Sequence, residues 1–195
     1  MTLRERIAEA LAADAPGLLP GDLFDDEHDG IAATPAAVLV PVVDRPAPTL
    51  ILTRRTETLR RHPGQVAFPG GRLDPGDSGP VDAALREAEE EIGLPRRLVD
   101  VIGTADAYRT VTGFSVTPVV GIVPPDLPLV PHDAEVAAVF EVPLDFVLDI
   151  ANQVERAGEF RGRERRYYEI MWGDWRIWGA TAAMIVNLGR RLGHG

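Results

Sequence analysis

Arg86-Glu87-Ala88-Glu89-Glu90-Glu91-Ile92-Gly93-Leu94 closes a segment whose charge runs against its own backbone. Val81 to Ile92 reads as a helix, with Pro80 near its start and Gly93 just past its end. The helix dipole places partial negative charge at that C-terminus, where Arg or Lys is favoured and carboxylates are repelled. Spacings of three and four put Glu87, Glu90 and Glu91 on one face, where like charges repel by roughly 0.2–0.5 kcal/mol per exposed pair. A cation relieves that repulsion, and a hard divalent ion such as magnesium suits oxygen ligands best.

An ordinary Glu-rich helix is a solvated acidic face. The residues upstream favour a metal instead. Phe68-Pro69-Gly70-Gly71 joins a short strand-like run, Gln65 to Phe68, to the loop before the helix, and paired glycines let backbone approach a ligand closely. That loop can offer a carbonyl to the same ion.

Gly71, Asp77, Arg86-Glu87, Glu90-Glu91 and Gly93-Leu94 together resemble the Nudix box, the signature of hydrolases that cleave nucleoside diphosphates linked to another group. Five residues separate Gly71 from Asp77, where the family pattern has Glu, and eight rather than seven separate Asp77 from Arg86. The second half matches fully, and in the family that half carries the metal ligands. The resemblance implies Mg2+ or Mn2+ held chiefly by Glu87 and Glu91, with Glu90 supporting or bridging and the Gly70 carbonyl as an extra ligand. Gly71, Asp77, Arg86 and Gly93 are then structural, Arg86 bracing a carboxylate from four residues before Glu90. Glu135, near the start of a later strand-like run, is a candidate to complete the metal site or act as base, against the alternative of a surface residue.

The segment before the box narrows the class. Ile51-Leu52-Thr53-Arg54-Arg55, followed by Leu59-Arg60-Arg61-His62-Pro63-Gly64-Gln65-Val66-Ala67-Phe68-Pro69-Gly70-Gly71, resembles the extended motif of the coenzyme A diphosphatase branch. Coenzyme A carries a 3′-phosphate besides its diphosphate, and planar, permanently charged Arg forks suit a phosphate-rich substrate. The substrate-binding candidates are Arg54, Arg55, Arg60, His62 and Gln65. Ile177-Trp178-Gly179-Ala180-Thr181-Ala182 is similar to the tail of the same branch. The resemblance implies hydrolysis of coenzyme A or acyl-coenzyme A to 3′,5′-ADP and the corresponding 4′-phosphopantetheine. Hydrolysis of ADP-ribose or a dinucleotide is the second enzymatic reading, and a catalytically silent nucleotide-binding regulator the third. Intact Glu87, Glu90 and Glu91 argue against the last.

Composition bounds the rest. A chain of 195 residues with 45% apolar content is long enough for one domain with a good core. No apolar run approaches the roughly 18 residues of a membrane span, and Met1 to Asp14 lacks the apolar centre of a signal peptide, so a cytoplasmic enzyme is expected. The absence of cysteine excludes disulfides, thiolate nucleophiles and Cys-based zinc sites, and the absence of lysine excludes a Schiff base or a P-loop lysine. His28, His62, His132 and His194 lie far apart and show no metal-ligand spacing. A net charge of −10 opposes nonspecific nucleic-acid binding, so attraction for an anionic substrate must be local. The expected partner is a small molecule, without nucleic acid or membrane, and a homodimer is allowed.

The order of elements follows from periodicity. Leu3, Ile7, Ala10 and Leu11 mark a short amphipathic helix, and a Gly/Pro/Asp-rich connection runs from there to about Pro35. Strand-like runs follow at Ala36 to Val43, Thr49 to Thr53, Gln65 to Phe68, Leu98 to Tyr108, Ser115 to Val123 and Val136 to Val142. A short helix is expected over Leu144 to Ile150, strands over Arg166 to Trp172 and Trp175 to Trp178, and a helix over Ala180 to Leu192. Trp172, Trp175 and Trp178 are read as core and hairpin packing, against the alternative of a base-stacking platform. Helices too few for regular β-α alternation suggest an α/β fold with a mixed sheet flanked by helices. The family implies the Nudix-type α/β/α sandwich.

Overall fold

The organising strand of the protein is β1, Thr34–Val43, whose two faces belong to two different cores. The structure, a computed structural model, describes residues 1–14, 17–22, 32–59, 62–160 and 162–194. Around β1 the chain sets β2 (Thr49–Arg55), β3 (Val66–Ala67), β4 (Gly70–Arg72), β5 (Asp100–Thr104), β6 (Tyr108–Arg109), β7 (Phe114–Val123) and β8 (Val136–Pro143) in one mixed sheet. β1 and β7 pair in parallel over their whole length, from Thr34 opposite Phe114 to Val43 opposite Val123. The other pairings between these strands are antiparallel, and Gly21 adds an isolated parallel bridge to Arg109.

Side chains alternate across a strand. Ala37, Leu39 and Val43 therefore face α2 (Pro80–Ile92) and pack on Ala83, Ala84, Ala88 and Ile92. Ala36, Val40 and Val42 face the opposite way, towards Ile7 of α1 (Leu3–Ala12) and Met184, Ile185 and Leu188 of α4 (Ala180–Arg191). The short α3 (Leu144–Leu148) adds Leu144, Val147 and Leu148 to that second core. The mixed sheet flanked by helices expected from the sequence is what forms. Small alanines on α2 bring it close to the sheet, and each fully buried large side chain, such as Ile92, contributes about 1.5–3 kcal/mol.

The helix signals hold. Pro80 occupies the first turn of α2, and Gly93 ends it at φ +65°, donating its N–H to the Ala88 and Glu89 carbonyls. α1 starts on a capping box, with Glu5 N donating to Thr2 Oγ1 and Thr2 N to Glu5 Oε2. Among the described residues no helix is long and apolar enough to cross a membrane.

Several boundaries differ from expectation. Gly70–Arg72, read as part of a loop, is strand β4, paired with Ala36 to Val38. β1 and β2 share only the register Val42 to Leu50 and Val43 to Thr49 before diverging, and β4 pairs with β1 where β2 has left it. A methyl on Gly70 would strike the Ala37 carbonyl and Val38, so close packing demands glycine where β propensity disfavours it. The run Leu98 to Tyr108 breaks into a 3-10 turn at Arg96–Leu98, β5 and the two-residue β6. Pro118 on the partner strand accepts from Ala105 N but has no N–H to return, so the ladder lapses there.

The helix expected to Ile150 stops at Leu148, and Asp149 caps a 3-10 turn, Ile150–Asn152, by accepting from Ala151 N. A second, three-stranded antiparallel sheet has the order β11-β10-β9, from β9 (Val154–Phe160), β10 (Arg163–Trp172) and β11 (Trp175–Trp178). β9 has no counterpart among the sequence-based strands, because Val154-Glu155-Arg156-Ala157-Gly158-Glu159-Phe160 is too polar to signal one. Part of the Gly/Pro/Asp-rich connection, residues 15–16 and 23–31, lies outside the described residues.

Candidate active site

Pro80 and Gly93 fix the ends of α2, and packing on Ala83, Ala84 and Ala88 fixes its rotation, which sorts its acidic residues by depth. Glu91 turns to the sheet and is 5% exposed, Glu87 is half-buried and Glu90 is exposed. The shared face read from spacing is thus a gradient from interior to solvent. Glu91 Oε2 accepts from Gly70 N at 3.2 Å, and Arg55 Nη1 lies 3.8 Å from Glu91 Oε1. Burial outweighs both and pushes the Glu91 carboxyl up to about 7, with Glu87 and Glu135 adding repulsion. Burial raises Glu87 also, against the pull of Arg86.

Arg86 is the hub of the site. Its Nε and Nη2 each meet one oxygen of Asp77 at 3.0 Å, Nη2 also donates to the Arg72 carbonyl at 3.1 Å, and Nη1 donates to Glu87 at 2.9 Å and Glu90 at 3.1 Å. The fork holds the Asp77 carboxyl below the usual carboxylate range, helped by Asp74 N donating to it. The shorter side chain and the extra residue between Asp77 and Arg86 therefore still close a bidentate pair. Gly71 lies beneath Glu87, and a methyl there would collide with the carboxylate.

Glu135 arrives on a loop pinned at both ends. His132 N donates to the Glu91 carbonyl at 2.8 Å and Val130 N to the Ile92 carbonyl at 3.0 Å, which satisfies helix-end carbonyls. Thr56 N, just past β2, donates to the Glu135 carbonyl at 3.0 Å. Glu87, Glu90, Glu91, His132 and Glu135 then line one open cleft of ≈ 390 Å³. His132 was no candidate from spacing, because only this docking brings it beside α2.

The chemistry of this donor set, a cluster of carboxylate oxygens, fits a hard divalent ion, and the raised Glu91 carboxyl is a buried charge short of compensation. Among the described residues no three acidic or imidazole side chains converge into a ready cage. Arg86 Nη1 instead stands between Glu87 and Glu90, bonded to one oxygen of each carboxylate.

The motif segment upstream divides between two clefts. Ile51 packs with α2 while Leu50 and Leu52 pack on the opposite core, and the alternation continues. Arg55 reaches Glu91, whereas Arg54 pairs with the exposed Glu57 at 2.9 Å and lines a second cleft of ≈ 500 Å³. His62, Gly64 and Gln65 line that cleft with Trp175 and Trp178. His62 sits at φ +53° in a turn closed by Gln65 N on its carbonyl at 3.3 Å, and Arg55 N donates to the Gln65 carbonyl at 3.0 Å. A left-handed non-glycine residue of this kind marks a turn held by its surroundings. Arg60, with Arg61, lies outside the described residues. The tail motif meets this segment in space, with Thr181 Oγ1 donating to the Val66 carbonyl at 3.3 Å.

The sequence model described as NUDIX domain matches residues 33–161. A protein of Cronobacter sakazakii (strain ATCC BAA-894), described as an uncharacterized Nudix hydrolase NudL, is 50% identical over 159 residues, covering 82% of this chain and 83% of its own. The protein of the same description from Escherichia coli (strain K12) is 47% identical over 158 residues, covering 81% and 82%. Among solved structures, the Nudix hydrolase RenU of M. smegmatis is 28% identical and covers 58% of this chain and 72% of its own, with a TM-score of 0.49.

Proposed function

The chain belongs to the Nudix hydrolase family, a hydrolase of phosphoric anhydrides, and on that premise we propose that it cleaves the diphosphate of coenzyme A or acyl-coenzyme A. The products are 3′,5′-ADP and 4′-phosphopantetheine or its acyl derivative. One observation carries the reading: β2 and the turn after it send Arg55 to the carboxylates, and Arg54, His62 and Gln65 to a separate cleft. A substrate with two separated anionic groups, a diphosphate and a 3′-phosphate, is what such a division serves.

In this reading Glu87 and Glu91 hold Mg2+ or Mn2+, Glu90 supports them, and the Gly70 carbonyl is a further ligand. The bound ion would neutralise phosphate oxygens and acidify a water. Arg55, 3.8 Å from Glu91, offers its charge to the diphosphate. Asp77 works through Arg86, whose Nη1 sets the starting positions of Glu87 and Glu90. Glu135, on its pinned loop, receives the proton of the attacking water.

The test is a substrate series with Mg2+ or Mn2+, comprising coenzyme A, acetyl-coenzyme A, ADP-ribose and a dinucleotide, with phosphate-containing products identified by chromatography. Coenzyme A or its acyl ester should give the highest kcat/KM and release 3′,5′-ADP. Preference for ADP-ribose or the dinucleotide would replace this substrate with that one, and no turnover of any of them would leave a silent nucleotide binder.

A further inference from the structure

The second cleft is walled by more than the motif residues. Opposite Arg54 and His62 stand Asp174, Trp175, Arg176 and Trp178 of the β10–β11 hairpin. None of these follows from the metal chemistry, and the cleft shares no lining residue with the carboxylate cleft.

Arg176 is built in rather than merely present. Its Nε donates to Glu169 Oε2 at 2.6 Å, its Nη2 to the Tyr167 hydroxyl at 3.2 Å, and its guanidinium lies 4.9 Å from the Trp178 ring centre. Glu169 is 9% exposed and takes Arg156 Nε on its other oxygen at 3.0 Å, so the carboxylate that anchors Arg176 is itself fixed. Such a fork has already lost its conformational freedom and meets an anion with little further entropic cost. Trp175 is equally rigid: its ring stacks on Phe140 with centroids 3.9 Å apart and planes 9° from parallel. Asp174, in the two-residue turn that Gly173 enters at φ +54°, adds an acceptor to the same wall. In a chain with net charge −10, a pocket with two Arg forks, a rigid aromatic plate and a carboxylate matches a phosphorylated nucleoside: phosphate on guanidinium, base on indole, exocyclic amine on carboxylate.

We propose that this cleft is the subsite for the nucleoside end of the substrate, with Arg176 and Arg54 reading its 3′-phosphate and Trp175 bearing its base. The assignment rests on the coenzyme A reading and adds to it the residues that recognise the ADP moiety. Arg176 is then a specificity residue immediately before the Ile177 to Ala182 tail, which the fold brings against the upstream segment through Thr181 and Val66.

The experiment measures binding of 3′,5′-ADP and 5′-AMP by titration calorimetry in EDTA, which isolates this subsite from the metal. The unmodified protein should bind 3′,5′-ADP roughly ten- to a hundredfold more tightly than 5′-AMP, the range expected of one charge-assisted phosphate contact. Arg176→Ala should reduce that ratio to about twofold or less, the limit left by unspecific charge. Because losing Arg176 leaves Glu169 with one partner, Arg54→Ala provides a second test at an exposed residue and should narrow the ratio in the same direction. Trp175→Leu should weaken both nucleotides by about tenfold while keeping their ratio. If the unmodified protein prefers 3′,5′-ADP and both arginine variants keep the preference, the subsite is overturned and the coenzyme A reading stands. Equal binding of the two nucleotides by a protein that hydrolyses coenzyme A likewise overturns the subsite alone. Equal binding together with no hydrolysis of coenzyme A overturns both.

Discussion

Glu91→Gln separates the cost of the site from its use. The side chain is 5% exposed, and burial lifts its carboxyl from an ordinary 4.5 to about 7 in the metal-free protein. Because the folded value lies above the unfolded one, the folded state binds the extra proton. The stability contributed by this one group is therefore greatest below about pH 4.5, declines as pH rises through 7, and stays low above it. Holding Glu91 ionised at pH 8 costs about 3 kcal/mol. Glutamine keeps nearly the same volume, can accept from Gly70 N as the carboxylate does, and carries no charge to bury. In EDTA, the variant should match the unmodified protein near pH 4.5 and exceed it by about 3 kcal/mol at pH 8, or roughly 6–12 °C in Tm. Turnover should move the other way, falling by about 10²-fold or more through loss of a preorganised charge. Denaturant melts at the two pH values, beside steady-state turnover in saturating Mg2+, give both quantities. A variant less stable than its parent at pH 8 would refute the claim that Glu91 is an uncompensated buried charge. Near-normal turnover would remove it from the metal site.

Four other outcomes follow from the same geometry. Metal affinity should fall by about tenfold for each pH unit below 7, because an ion must displace the Glu91 proton, and calorimetry in buffers of different ionisation enthalpy should detect that release at pH 6 but little at pH 8. Asp77→Asn breaks the pair that fixes Arg86 and should weaken Mg2+ binding about 10–100-fold, read by metal titration of turnover; an unchanged metal curve would show that Arg86 needs no brace. Gly71→Ala should push Glu87 off its seat and lower kcat by about tenfold or more with the fold retained by circular dichroism, since small displacements of catalytic groups cost that much. Between coenzyme A and dephospho-coenzyme A, Arg55→Ala should lower kcat/KM for both and Arg54→Ala mainly for coenzyme A, by roughly tenfold or more, and equal losses from Arg54→Ala would contradict the division of the two arginines between clefts.

Much of this site was legible because local chemistry is written locally. Pro80, Gly93 and the i, i+3, i+4 carboxylates state a helix and its anomaly within one segment, and the valine-rich runs of β1 and β7 state buried strands. What stayed hidden depends on contacts made far away. Gly70–Arg72 became a strand only because β1 and β2 diverge beside it, and two glycines carry no β signal of their own. β9 exists by pairing with β10 and shows no apolar alternation. Glu135 was a candidate from the sequence, but His132 enters the cleft through a backbone bond to the Glu91 carbonyl, and a backbone donor leaves no trace in residue type.

The division of Arg54 from Arg55 was, by contrast, available in advance. Both were read as one phosphate-binding cluster, yet adjacent residues in a strand point to opposite faces, and Leu50, Ile51 and Leu52 already declare which face is which. Cluster reasoning treats neighbouring charges as additive, whereas a strand makes them independent. The register break between Arg54 and Arg55 in their pairing with β8 does not undo the separation, since Arg55 ends beside Glu91 and Arg54 beside the hairpin tryptophans. A motif in which consecutive arginines serve different ends of one ligand constrains that ligand's length as well as its charge. The two clefts share no lining residue, so a substrate reaching both must carry its phosphates on separate arms rather than in one run.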